Sequence, residues 1–354
     1  MKIALLFDGA SALGKSPDLL ILATVEAVEA ALAGEGNHVV RVPCYFDARW
    51  VERVRRGKFD LVFNLCEGID GEAEVEPAVI SALEFMGVPF TGSSSWTAAL
   101  CLRKPVVNAL LARAGIPIPR FDVSWRGGAL PIVGFPAICK PSAEDASVGV
   151  EQRSVVRTVR ALTARIEAMH EVWDEVLVQR FIDGREVNVG IVGDTVLPIA
   201  EIEFDKMPKK LWRIVSYRSK WETGCEEDLG AKPSCPADLP PELSIELKRL
   251  AIEAWKVVGG DGYGRVDFRI DKSGRPWLLE VNANPDIAPD AGLARMAGAA
   301  GIDYASLILA VCQRALTRKP VTTPDLWERS QRLSGVRAAT GGDNELDLFA
   351  VGQR

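Results

Sequence analysis

The chain has 354 residues, 48% hydrophobic and 25% charged, which is ample for two or three packed units and excludes a wholly disordered protein. A net charge of −6 argues against a general nucleic-acid binder, because neutralising phosphates needs a dense Lys/Arg surface. No run of 18 apolar residues occurs, and Met1–Phe7 leads straight into Asp8-Gly9 with no small-residue cleavage site, so a cytoplasmic protein is expected.

Residues 1–95 read as a doubly wound unit. An apolar strand at 2–7 precedes a helix near 17–33, strands near 38–42 and 59–65, a helix near 75–86 and the segment Val88-Pro89-Phe90. Such alternation implies a parallel sheet with ligands at the carboxyl ends of its strands, so the loops after Phe7 and Phe63 should face a cleft. Residues 96–175 form a second unit, with one helix from Trp96 to Ala114 stopped by Gly115-Ile116-Pro117. The strand Phe135–Lys140, a loop to Gly149 and a helix near 155–169 follow. The third unit, 176–316, carries strands at 176–181, 186–192, 196–204, 263–270 and 277–282 and helices near 242–258 and 302–316. Its loop from Lys206 to Pro240 reads either as a lid that closes over ATP or as a solvated excursion. Residues 317–354, with two prolines and Gly341-Gly342, lose periodicity and read as a flexible polar tail.

Seven cysteines without a Cys-x-x-Cys, and only two histidines, point to reduced thiols and away from zinc or His-based catalysis. Cys225 and Cys235 share one polar loop, which leaves a redox or metal role as a minor alternative.

The chemistry concentrates late in the chain. In Gly264-Arg265-Val266-Asp267 and Leu278-Leu279-Glu280-Val281-Asn282, polar and apolar residues alternate, so Arg265 shares a strand face with Asp267, and Glu280 with Asn282. The intervening Asp271-Lys272-Ser273-Gly274 is turn chemistry and should pair the two strands. Two carboxylates and an amide carbonyl make a hard oxygen site suited to Mg2+ beside nucleotide phosphates. A solvated hairpin would explain one such acid. It does not explain acids on two paired strands beside Trp277, Leu278, Leu279 and Val281. Upstream, Lys140 ends a strand and precedes a loop of small residues through Ser147 to Gly149, a way to grip phosphate oxygens. The strand through Gln179, Arg180, Phe181 and Ile182, followed by Glu186, can read an adenine edge and accept from ribose hydroxyls.

That order of motifs resembles the ATP-grasp superfamily, specifically its D-alanine:D-alanine ligase branch, over residues 2–316. The resemblance implies an α/β ATP-grasp fold, with an N-terminal doubly wound substrate domain, a small central α+β subdomain and a C-terminal α+β subdomain holding Mg2+. It implies that Lys104, Lys140 and Ser147 contact ATP phosphates, that Gln179, Arg180, Phe181 and Ile182 line the adenine pocket, and that Glu186 takes the ribose. Asp267, Glu280 and Asn282 resemble the ligands of two Mg2+ ions, with Mn2+ as a substitute. Arg265 resembles the arginine that stabilises a tetrahedral intermediate, and Lys220, retained next to Trp221, is a second catalytic candidate that would meet a carboxylate or phosphate.

The substrate positions depart from the branch. A glutamate that holds an ammonium group is replaced by Leu13, a serine by Ala146, and the lid tyrosine by Trp221. The histidine after the third strand is absent from Asn64-Leu65-Cys66-Glu67-Gly68, where Glu67 is the substitute candidate. The segment that receives a second carboxylate reads Asn284-Pro285-Asp286. Asp286 would repel such a carboxylate. The expectation is therefore an ATP- and Mg2+-dependent carboxylate-amine ligase that makes an amide through an acyl phosphate, with at least one amino-acid-like substrate and a pair diverged from two D-alanines. Genuine D-alanine ligation is the alternative within the class. A small-molecule kinase or a non-catalytic ATP binder is the alternative outside it. Homodimerisation is implied by the resemblance alone.

Overall fold

The computed structural model describes residues 1–12, 20–47 and 49–318. Leu13 and the expected tail from Lys319 onward lie outside the described residues. Strand β1 (Lys2–Asp8) leads into a turn of helix, α1 (Gly9–Ala12), and helix α2 (Leu20–Gly34) is followed by β2 (His38–Cys44). Next come α3 (Arg49–Gly57), β3 (Leu61–Asn64) and α4 (Glu76–Met86). The three strands form a parallel sheet in the order β2-β1-β3, which Phe90 extends by a parallel bridge to Val62. Both faces of β1 are buried, as expected of a central parallel strand. Ile3, Leu5 and Phe7 pack with Val25, Val28 and Leu32 of α2, while Ala4 and Leu6 pack with Trp50 and Val54 of α3 and Val79, Ile80 and Leu83 of α4.

The expected helix 96–114 is two helices, α5 (Ser95–Leu102) and α6 (Lys104–Arg113), broken at Arg103. The break follows from Pro105, which fits the first turn of a new helix and not the interior of a continuous one. Strands β4 (Phe121–Trp125), β5 (Ala137–Pro141) and β6 (Val155–Val156) are followed by α7 (Val159–Met169) and β7 (Glu175–Arg180). Helix α7 starts four residues later than expected because Thr158, whose side chain accepts from the Ala161 N–H, caps it and leaves the β-branched pair Val155-Val156 to the sheet. The sheet order is β4-β7-β5-β6. β7 pairs with both β4 and β5, so its hydrogen bonds tie residues 175–180 to this sheet.

The last sheet contains β8 (Gly184–Val192), β9 (Thr195–Val196), β10 (Ala200–Glu203) and, after the short helices α8 (Tyr217–Trp221) and α9 (Glu226–Gly230), β11 (Lys232–Ser234). Helix α10 (Pro241–Val257) precedes the hairpin β12 (Tyr263–Asp271) and β13 (Pro276–Ala283), and α11 (Gly292–Ala299) and α12 (Tyr304–Thr317) complete the described chain. The order is β11-β10-β8-β12-β13, with β9 on β8. The expected strand 196–204 is split at Leu197-Pro198, where proline cannot donate to a ladder. One face of this sheet buries Val187, Val189, Val266, Phe268 and Leu278 against Leu247, Leu250, Ala251 and Ala254 of α10. The other face carries the polar residues. Helix α12 packs Leu307, Ile308, Val311 and Cys312 into the core of α2 and β1. Among the described residues no single helix is long and apolar enough to cross a membrane. All seven cysteines are free thiols, and Cys225 caps α9 by accepting from the Asp228 N–H.

Candidate active site

Three neighbouring strands bring the charged residues into one row. Asp267 on β12 lies opposite Asn188 on β8 and Glu280 on β13, and Arg265 lies opposite Gly190 and Asn282. The Asp267 carboxylate is 5% exposed and fully engaged. Arg265 donates to it through Nε at 2.8 Å and Nη2 at 2.9 Å, Asn188 Nδ2 donates at 2.6 Å and Asn282 Nδ2 at 2.9 Å. Burial pushes the Asp267 carboxyl up despite the Arg265 charge. Glu280 goes the other way. Burial opposes its charge, but Lys140, Lys104 and Arg265 outweigh burial and hold it down at about 2. A carboxylate kept ionised beside a second one and an amide oxygen fits a hard cation. With the guanidinium filling both Asp267 oxygens, a metal at Asp267 has to displace Arg265 donors.

The nucleotide candidates line the facing sheet. Ile138 and Lys140 on β5 pair with Gln179 and Leu177 on β7, so Ile138, Lys140 and Gln179 point from one face, opposite the α7 core. Gln179 is buried and its Nε2 has no hydrogen-bond partner, an orphan donor that a purine acceptor would satisfy. Phe181 packs with Ile138, Val150, Val155 and Ile214, and meets Trp212 edge-on at 5.2 Å. The Arg180 N–H donates to Arg120 O and the Phe181 N–H to Pro136 O. Among the described residues the Ile182 N–H makes no hydrogen bond, so it is the backbone donor left for an adenine edge. Glu186 is not free: Arg269, 3% exposed, donates to it at 2.7 Å and also reaches Arg213 O. Lys104, 8% exposed, donates to Asp145 at 3.0 Å and to Glu144 O, and these charges with Glu280 keep its ammonium more firmly protonated than usual despite burial.

The loop after β5 is clasped by residues Val215 and Trp221. Ala146 and Ser147 have positive φ, 53° and 62°; Ser147 Oγ donates to Val215 O at 3.0 Å, and the Trp221 indole N–H donates to Ala146 O at 3.1 Å. The two departed positions thus still meet, through a backbone carbonyl in place of a hydroxyl. Lys220 is exposed, its Nζ 5.2 Å from the Trp221 ring.

Glu67, Asn284 and Asp286 line a second cavity with Asn64, Cys66, Tyr263 and Glu76. Asn284 has φ 51°, accepts the Ser93 N–H at 2.7 Å through Oδ1 and donates to Glu76 at 2.8 Å through Nδ2. Gly92 permits this approach: a Cβ there would lie 2.4 Å from Asn284 Oδ1. Glu76 is 8% exposed, and burial pushes its carboxyl up to about 7, with Asp145 adding to the rise. Asp286 is exposed and accepts the Ala288 N–H at 2.9 Å.

A family model described as "D-ala D-ala ligase C-terminus" matches residues 111–313. The D-alanine–D-alanine ligase of Citrifermentans bemidjiense is 33% identical over 315 residues, covering 89% of this chain and 96% of that protein. This chain belongs to the D-alanine:D-alanine ligase family. The family enzyme of Gluconobacter oxydans is 31% identical over 323 residues, 90% of this chain and all of that protein. A crystal structure titled as the D-alanine–D-alanine ligase of Bacillus anthracis complexed with ATP is 22% identical, with a TM-score of 0.72 over 89% of this chain and 97% of that one, which shows a shared ATP-grasp fold. D-alanine:D-alanine ligases are ATP-dependent enzymes that form carbon–nitrogen bonds.

Three residues of this family member, half-buried Asn188 and buried Arg269 and Glu76, escaped the sequence analysis. Asn188 hides in an apolar strand, and only its register opposite Asp267 gives it a partner. Arg269 continues the Arg265, Asp267 alternation by two more residues, so the pattern itself held the signal. Glu76 opens α4 just before Pro77, where an acid reads as an ordinary favourable helix-start charge.

Proposed function

We propose that the chain is an ATP- and Mg2+-dependent carboxylate-amine ligase that joins two small substrates, at least one an amino acid, and that the pair is not two D-alanines. A carboxylate oxygen of one substrate attacks the γ-phosphorus of ATP and ADP leaves. The amine nitrogen of the other then attacks the acyl carbon, the C–O bond to phosphate breaks and the nitrogen gives up a proton.

The observation that carries the reading is the convergence of Lys140, Lys104 and Arg265 on the half-buried carboxylate of Glu280, which lies opposite Asp267 across the hairpin. In this reading Lys104 and Lys140 neutralise phosphate charge, and Arg265 stabilises an oxyanion at the acyl carbon. Asp267, Glu280 and Asn282 would hold Mg2+, which supplies further neutralisation of phosphate charge. Gln179 and Ile182 read the adenine, and Glu186, oriented by Arg269, accepts from the ribose.

Divergence is supported by Ala146 and Trp221, which meet without the hydroxyls of the usual triad. The ammonium finds its counter-charge elsewhere. Glu76, buried in the cavity with Asn284, takes that role, and Lys220 meets a carboxylate or phosphate when the lid closes. The proposal includes a cytoplasmic homodimer. Purified protein with Mg-ATP, assayed for ADP release across paired D- and L-amino acids with mass spectrometry of each positive mixture, should give a condensed product with the mass of the two substrates less one water, other than D-alanyl-D-alanine. A phosphorylated single substrate would sink the ligase reading. A D-alanine pair used preferentially would sink the divergence.

A further inference from the structure

A groove of about 640 Å³ lies between α7, the edge strand β6 and residues 209–212 of the lid. Its floor is Val155, Val156, Ala161, Ala164 and Ala168, and its charged lining consists of Arg153, Arg157, Arg165, Lys209 and Lys210, with no acid among the lining residues. None of the nucleotide or metal candidates lines it. Two of the cations are spoken for: Arg153 pairs with Glu151 and Lys210 with Glu226 at 2.9 Å. Three have no carboxylate within salt-bridge distance among the described residues.

Arg165 is the decisive member. It is 7% exposed, its Nη2 donates to Gly149 O at 2.8 Å and Ser154 Oγ at 3.0 Å, and its buried Nε has no partner. A buried guanidinium donor without an acceptor is costly unless something supplies one. Arg157 lies over the Trp212 ring at 4.5 Å, and Trp212 abuts Phe181 of the adenine pocket. The Trp212 backbone is tied to the turn before β6 by Gln152, which accepts its N–H at 2.6 Å and donates to its O at 3.3 Å.

We propose that this groove binds an organic anion carrying two or more phosphoryl groups, with its apolar body on the alanine floor. Two guanidiniums and an ammonium set around one space match several phosphate oxygens, and the fork geometry of arginine favours phosphoryl groups. Binding there fastens lid residues 209–212 to α7, next to Phe181. The ligand thereby acts on the adenine pocket without entering it.

The test uses inorganic pyrophosphate in Mg-free buffer, titrated calorimetrically into the full-length Lys140→Ala protein, in which the nucleotide's phosphate grip is weakened. Binding should persist there and fall at least tenfold when Arg157→Glu or Lys209→Glu is added. Both side chains are exposed, and Arg157→Gln provides a milder version that should lose severalfold. Hydrogen exchange of residues 209–216 should slow on adding pyrophosphate. No binding to Lys140→Ala, or binding untouched by the groove substitutions, would overturn the proposal.

Discussion

Replacing Glu76 with Gln separates the cost of a buried carboxylate from its use. The carboxyl rises from its ordinary 4.5 to about 7 because burial disfavours the ion, so the ionised form costs the folded chain about 3 kcal/mol, at ~1.4 kcal/mol per pH unit. The sign follows from proton counts. Below pH 4.5 both states are protonated and nothing is lost. Between 4.5 and 7 the folded chain holds the proton that the unfolded chain has released, so stability falls as pH rises, and above 7 the full cost remains. Glu76→Gln removes this dependence while keeping an oxygen for Asn284. In urea denaturation of the substrate-free protein, the stability of the variant relative to wild type should climb by about 3 kcal/mol from pH 4.5 to 8, whatever its offset at low pH. In steady-state assays at pH 8, KM for the amino-acid substrate whose ammonium Glu76 holds should rise at least tenfold and KM for ATP should stay within about twofold, because that ammonium loses its counter-charge. Parallel stability curves, or an unchanged KM for that substrate, would refute the assignment.

Trp221→Phe removes the indole donor to Ala146 O, a hydrogen bond of roughly 1 kcal/mol, so KM for ATP should rise about fivefold in initial-rate measurements with the fold intact by circular dichroism. Arg265→Ala should lower kcat by about 10²–10³ in the ADP-release assay. It also leaves buried Asp267 without its ion-pair partner, so metal-free thermal unfolding should show a loss of about 3 kcal/mol. Mg2+ should raise the variant's Tm more than that of wild type. Gly92→Ala places a Cβ against Asn284 Oδ1 at φ 94°, so it should destabilise by about 2 kcal/mol or more and raise KM for the substrate that Glu76 holds, read by urea titration and kinetics.

The hairpin of β12 and β13 was legible because each strand buries one face, and strict alternation then fixes which residues share the other. Regular apolar period likewise gave β1, β2, β8, α4, α10 and α12. Helix α3, Arg-Trp-Val-Glu-Arg-Val-Arg-Arg-Gly, was missed because only Trp50 and Val54 reach the core and its remaining residues are mostly charged. The membership of β7 was hidden for another reason: a strand's neighbours depend on contacts far away in sequence, which local period does not encode. The same limit applied to the site. Paired residues two apart on one strand were readable, whereas the engagement of Glu186 by Arg269, 83 positions away, and of Glu76 by Asn284, 208 away, needed the fold. The basic groove joins residues 153–165 to 209–212, and neither segment alone stands out as a charge run.

The most direct measurement of the central claim follows the oxygen. With the condensing substrate pair and its donor carboxylate labelled with ¹⁸O, mass spectrometry of the released inorganic phosphate should show one labelled oxygen transferred per amide formed, because the carboxylate oxygen that attacks ATP departs with phosphate. Unlabelled phosphate alongside amide formation would contradict the acyl-phosphate route and with it the role assigned to Arg265.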